Sequence, residues 1–380
     1  MLITRAQLFP LEIPMIKPIK MAGETLTHAH TVLVRLIDEH GREGWGEASA
    51  APLMTGETLA SIAASTQYLL EKLVGVSIDA PTDISARHER VLYGNASAKS
   101  CHETALMDLF AQRQGVPLYQ LLAGEQSVVQ SGRLEMLHML ASGELAQEME
   151  ESHALRLQGY RQWKIKVGSG DIKNDVQRVL ALCAHLHGDV VSADANQSLS
   201  VSQAADIAAA GIKGGLAFLE QPFRTDMMKE MGFLHQRTGL ALCADESIQD
   251  ISDIESHCDA HAAQGVSLKL IKLGGTQRMV EAGRLCLARG MRINLACKVA
   301  ETSISAAATA HTGFALGDVA WGFSMTNRYL LADVCEQALA PVNGAVTTQQ
   351  FDKPGLGFAP ALERLRDFAS TTVPMREFRA

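Results

Sequence analysis

Apolar and polar positions alternate along Thr31-Val32-Leu33-Val34-Arg35-Leu36-Ile37, which predicts a strand closed by the turn Asp38-Glu39-His40-Gly41. Gly44-Trp45-Gly46-Glu47-Ala48 restarts the pattern as the second arm of a hairpin. Helical spacing follows. Between Ser100 and Gln114, Ala105, Leu106, Leu109 and Phe110 share a face, and Gly115 with Pro117 beyond it stops the run. Ser100 and Glu103 have the spacing of a capping box, which predicts the helix start at Ser100. This block reads as an α+β domain over residues 1–125.

From about Glu135 short apolar runs alternate with helical patterns at near-regular intervals. The runs are Met136–Leu140, Gln162–Val167, Val190–Ala193, Ala217–Leu219, Leu240–Ala244, Val266–Leu270, Arg292–Leu295 and Val319–Phe323. Strands separated by amphipathic helices in this way predict an α/β fold, a (β/α)-barrel over residues 126–346. The remaining segment, 347–380, carries Pro354-Gly355-Leu356-Gly357 and is expected to fold back onto the first domain.

Composition narrows the function. The net charge is −8 and no Lys/Arg run is present, which argues against nucleic acid and an anionic membrane surface as partners. No apolar stretch approaches the roughly 18 residues of a membrane span. The seven cysteines are scattered, with no C-x-x-C pair, and read as free thiols of a cytoplasmic protein.

Polar residues recur at the ends of successive predicted strands. Lys164 and Lys166 end the second, Asp194 and Asn196 the third, Glu220 the fourth, Asp245 the fifth and Lys269 the sixth. The steps from 166 to 194, 220, 245 and 269 are 28, 26, 25 and 24 residues, about one βα unit each. Barrel active sites lie at the C-terminal face, so these side chains are expected to converge. Three carboxylates on neighbouring strands repel one another, and a hard divalent cation relieves that. Asp194, Glu220 and Asp245 are therefore the expected ligands of one Mg²⁺ ion. The lysines then acquire a purpose. Removing a proton alpha to a carboxylate requires the enediolate charge to be stabilised by the metal, and a base poised near neutral pH. A free lysine titrates at about 10.4, and a neighbouring cation lowers it toward the useful range of roughly 7–8. Lys166 and Lys269, on strands two and six, are expected to address opposite faces of one carbon, with Lys164 beside them. Glu246 and Lys272 have the opposite strand parity and are expected to play supporting structural parts.

Taken together, Lys164-Ile165-Lys166, Asp194-Ala195-Asn196, Glu220-Gln221-Pro222, Ala244-Asp245-Glu246-Ser247 and Lys269-Leu270-Ile271-Lys272-Leu273-Gly274-Gly275 resemble the enolase superfamily, muconate-lactonizing subgroup. The segment from Ala105 to Leu118 is similar to that family's linker helix. The resemblance implies a modified TIM (β/α)-barrel under an N-terminal α+β capping domain, one Mg²⁺, and Lys166 and Lys269 as the two bases. It also implies capping loops, here around Met15–His30 and Ala51–Gly56, that close over a small carboxylate substrate. The subgroup is commonly homo-oligomeric. Family dipeptide epimerases carry Asp-x-Asp at the eighth strand, where this chain reads Trp321-Gly322-Phe323-Ser324-Met325-Thr326-Asn327, which disfavours that activity. After strand seven Glu301 keeps the family's acidic position, and Lys298 is a candidate specificity residue. Glu301, Lys298, Asn196 and Ser324 are the expected substrate contacts. The expected reaction is racemisation or epimerisation of an amino-acid derivative or similar small acid. The alternatives are a hydroxyproline-type dehydratase, a muconate-type cycloisomerase, or a catalytically silent binding protein on the same fold.

Overall fold

The computed structural model describes residues 1–21, 24–124 and 132–380. The expected boundary at 125/126, and positions 22–23 of the Met15–His30 loop, lie outside them.

The first domain is built on an antiparallel sheet of strands Ile3–Met21, Glu24–Asp38 and Glu43–Ser49, with Arg376–Arg379 added at the outer edge of the first. Helix Ala96–Gln114 packs across it, so closely that a Cβ at Gly46 would sit 1.9 Å from the Cys101 carbonyl oxygen and one at Gly44 would sit 2.1 Å from that of Ala105. The Gly44-Trp45-Gly46 spacing thus lets the helix backbone approach the strand. The helix begins at Ala96, and Ser100 lies buried within it, so the capping box expected at Ser100 and Glu103 is not formed. Glu103 caps a different helix. Its carboxylate accepts the backbone N–H groups of Thr276 (2.7 Å) and Gln277 (3.0 Å), at the start of helix Thr276–Ala288.

The second part is an eight-stranded parallel sheet in sequential order: Leu137–Leu140, Gln162–Lys166, Val190–Asp194, Phe218–Glu220, Leu242–Ala244, Gly265–Leu268, Arg292–Ala296 and Phe323–Ser324. A bridge between Met136 and Phe323 brings the first and last strands together, so the sheet curls into a nearly closed barrel. The sixth strand stops at Leu268, two residues short of the predicted run, because Leu270–Leu273 coils into a helical turn that Gly274 ends at φ +85°. The eighth is only Phe323–Ser324, since Gly322 at φ +78° interrupts extended backbone before it. Trp45 and Trp321 are both core residues; Trp321 stacks on Phe218 with ring centroids 4.0 Å apart. All seven cysteines are unpaired, and among the described residues no helix is long and apolar enough to cross a membrane.

Candidate active site at the barrel mouth

The strand ends bring the polar series together. Lys166, Asp194 and Glu220 are the last residues of the second, third and fourth strands and are direct neighbours in the parallel register. Asp245 and Lys269 immediately follow the fifth and sixth strands. All five line one cavity, together with Lys164, Asn196, Lys298 and Ser324. Glu301 does not line it. It is buried behind the Lys298 backbone, where its Oε2 accepts the Lys298 N–H at 3.0 Å. Burial and the nearby Glu47 carboxylate push the Glu301 pKa up to about 8. From the capping domain, Met54 reaches the cavity wall, while Pro52, His28 and His30 line an adjoining space shared with Lys298.

The chain leaves the third and fourth strands under strain. Asn196, Gln197 and Gln221 have φ of +41°, +68° and +35°, in the left-handed region that side chains disfavour. Side-chain bonds hold these turns in place. Gln221 Oε1 accepts the N–H of Asp245 (2.9 Å) and the hydroxyl of Ser247 (2.9 Å), while its Nε2 donates to the Phe223 carbonyl (2.9 Å). The fourth strand end is thereby tied to the fifth. Asn196 accepts from Lys166 through Oδ1 (2.5 Å) and donates to Glu246 through Nδ2 (3.0 Å).

Each carboxylate is engaged by an ammonium group. Lys166 Nζ lies 2.6 Å from Asp194 and Lys164 Nζ 2.6 Å from Glu220, while Lys269 reaches both oxygens of Asp245. Lys272 also reaches Asp245, at 2.7 Å from Oδ1 and 2.5 Å from the backbone carbonyl. This corrects the parity argument. Residue 272 lies on a helical turn, where positions three apart share a face, so Lys272 and Lys269 converge on one carboxylate. Burial works against charge on Asp245, but Lys269 and Lys272 outweigh it and hold its carboxyl well below the usual range. Burial disfavours the charged amines of Lys164 and Lys269, yet Glu220 with Asp194, and Asp245 with Glu220, hold both above their ordinary values. The depressed lysine expected from sequence therefore requires a cation to take up the carboxylate charge.

Among the described residues no three acidic, histidine or cysteine side chains are already gathered as a metal site. Asp194, Glu220 and Asp245 are each paired with a lysine ammonium group. The donor set nevertheless fits a hard cation. All three are buried anionic oxygens on one cavity wall. Glu220 is also raised by burial and by the charges of Asp194 and Asp245. Its Oε2 lies 2.6 Å from the Lys164 ammonium group.

One support has no signal in the strand-end series. Arg178, almost wholly buried, pairs with Glu148 (2.7 Å) and Asp175 (2.6 Å) and donates to the Lys166 carbonyl (3.1 Å). It fixes the backbone that presents Lys166. Asp175 is three residues back on the same helix, but Glu148 lies on the preceding one and only the folded barrel brings it within reach.

A barrel under an antiparallel-sheet cap, with lysines and carboxylates at the strand ends, defines a recognisable class. The profile of the mandelate racemase/muconate lactonizing enzyme N-terminal domain covers residues 5–123, and that of the enolase C-terminal domain-like family covers residues 144–364. The chain belongs to the mandelate racemase/muconate lactonizing enzyme family of the enolase superfamily. It is 31% identical to muconate cycloisomerase 1 of Pseudomonas putida over 372 residues, covering 94% of this chain and 96% of that one. It is 29% identical to the L-Ala-D/L-Glu epimerase of Bacillus subtilis (strain 168), covering 82% and 84%. Its fold also superimposes on a dipeptide epimerase from Cytophaga hutchinsonii, solved with Mg and the dipeptide D-Ala-L-Val, with a TM-score of 0.88, 24% identity, and 99% and 100% of the two chains covered.

Proposed function

We propose that this chain abstracts the proton alpha to a substrate carboxylate and returns one to the opposite face, acting as a racemase or epimerase of a small acid. The observation that carries the reading is that Lys166 and Lys269, from strands four apart in an eight-stranded barrel, line one cavity with three buried carboxylates between them. The reaction conserves atoms and electrons. One amine takes the Cα proton, and the other lysine's ammonium gives a proton from the far side. Asp194, Glu220 and Asp245 would hold Mg²⁺, which stabilises the charge that develops on the substrate carboxylate when the Cα–H bond breaks. Lys164 adds positive charge beside that carboxylate. Asn196 holds Lys166 in place through its amide oxygen, and Glu246 orients Asn196 in turn. Lys298 and Ser324 stand on the wall where a substrate's remaining groups would lie. Glu301 acts from behind, through the Lys298 backbone.

A cycloisomerase is the second reading, favoured by the 31% identity to muconate cycloisomerase 1 over nearly the whole chain. It shares the lysines and differs in which bond they make or break. Proton NMR in D₂O with Mg²⁺ separates the two, using a panel of N-acylated amino acids and cis,cis-muconate. Alpha-deuterium incorporation with inversion supports the racemase, and lactone formation supports the cycloisomerase. Absence of both with every acid, in protein that binds no Mg²⁺, would leave a silent scaffold.

A further inference from the structure

The two lysines at opposite sides of the mouth are seated by unrelated parts of the fold. Lys269 heads the helical turn Leu270–Leu273, and its carbonyl accepts the N–H groups of Lys272 (3.2 Å) and Leu273 (3.3 Å), so local backbone holds it. Lys166 instead ends its strand, and the chain continues through Val167 to Gly168 at φ +86°. Val167 donates to the Asp194 carbonyl (3.0 Å), and buried charges grip the positions on either side of it. Arg178 Nη1 donates to the Lys166 carbonyl (3.1 Å), and Asp175 Oδ2 accepts the Gly168 N–H (2.7 Å). The same Nη1 reaches Asp175 Oδ1 (2.6 Å), while Nε and Nη2 take the two oxygens of Glu148 (3.0 and 2.7 Å). Glu148 Oε1 also accepts the Gly143 N–H (3.1 Å), in the loop after the first strand. None of the three charged residues is more than 3% exposed.

Stability does not account for such a cluster, since desolvation offsets most of the attraction in a buried ion pair. Direction does. A guanidinium is a planar fork whose donors point along fixed lines, and one of them meets the backbone of a residue placed to act as a base. We propose that Arg178, held by Glu148 and Asp175, is a positioning residue for Lys166 alone, so that the two faces of the site are set independently. That Lys166 is a base rests on the α-proton reading above. Displacing a reacting group by about 1 Å costs on the order of a hundredfold in rate. A shift at residues 166–168 therefore slows proton removal on the Lys166 face and spares the Lys269 face. Racemisation hides this, because two enantiomers of equal free energy must lose kcat/KM equally in both directions. Exchange of the α-proton reveals it, because exchange needs only one base.

The test uses the full chain with Mg²⁺ and each enantiomer of the N-acylated amino acids of the panel above, scored for α-deuterium exchange by proton NMR. Arg178→Lys keeps the buried charge but loses the fork. Asp175→Asn neutralises the acceptor of the Gly168 N–H, and carries the test should Arg178→Lys fail to fold. Amide hydrogen exchange of the peptides spanning 166–168 and 269–273 is read on the same proteins. The expected result is a fall of at least about tenfold in exchange from the enantiomer that Lys166→Ala silences, with the other changed by less than about threefold. Amide exchange quickens at 166–168 and stays as in wild type at 269–273. The proposal is overturned if both enantiomers slow alike, if neither slows, or if the amides at 166–168 are as protected as in wild type. Wild type that exchanges no acid of the panel refutes the α-proton reading instead. The amides then decide alone: loosening confined to 166–168 upholds the one-sided seat, and loosening at both segments or at neither overturns it.

Discussion

Glu47, on the third strand of the capping sheet, accepts the backbone N–H and the hydroxyl of Thr302, 255 residues further along the chain. Its carboxylate also takes the Ser305 N–H at 3.0 Å and the Thr31 hydroxyl at 2.9 Å, so it serves as the N-terminal anion of helix Ser303–Leu316 from another domain. Replacing it tests how firmly cap and barrel are joined. Glu47→Gln presents an amide N–H₂ to a ring of donors, and we expect a loss of about 2–3 kcal/mol in urea unfolding. A loss below about 0.5 kcal/mol would show that the join lies elsewhere.

Lys166→Ala and Lys269→Ala should each lower racemisation by at least about a thousandfold. Each variant should retain α-deuterium exchange from one enantiomer only, and the two should retain opposite ones. Enantiomer-resolved exchange is the measurement, and full turnover in either variant removes that lysine from the mechanism.

Gln221→Leu leaves the Asp245 N–H and the Ser247 hydroxyl without their acceptor. Because this disturbs the backbone that presents Asp245, Mg²⁺ affinity should fall by about tenfold or more. Calorimetric titration of the metal reads this directly. An unchanged affinity alongside an ordinary loss of stability would restrict Gln221 to holding the fold together.

Glu301 gives a pH signature. Its pKa is raised from 4.5 to about 8 in the folded protein, so the folded state holds the proton more tightly than the unfolded one. Its contribution to stability is fully present below about pH 4.5 and is lost as pH rises toward 8, with a limiting slope of about 1.4 kcal/mol per unit. Glu301→Gln cannot ionise. The stability of this variant relative to wild type should therefore rise between pH 5 and 8, by roughly 3–4 kcal/mol at that slope. Denaturant midpoints across that range decide it, and a constant difference refutes the buried neutral acid.

The strand-end series was legible because a barrel repeats one βα unit, and the steps of 28, 26, 25 and 24 residues carry that repeat into the sequence. What sequence concealed were contacts made across the barrel or between domains. Glu103 has the spacing of a local cap for Ser100, yet binds the start of helix Thr276–Ala288. Lys272 was misplaced because strand parity was carried past Leu268 into a helical turn. Arg178 reaches Glu148 and the Lys166 carbonyl, and Gln221 reaches Asp245 and Ser247, across gaps in sequence for which periodicity offers no clue.

The last strand, Arg376–Arg379, pairs with Arg5–Leu8 on the first. The outer edge of that first strand is therefore closed by residues some 370 positions further along the chain. Until Arg376–Arg379 docks, Arg5–Leu8 offers open backbone donors and acceptors that a neighbouring chain can pair with. Deleting Arg376–Arg379 would make that exposure permanent, and the damage would show as association through the open edge of the first strand.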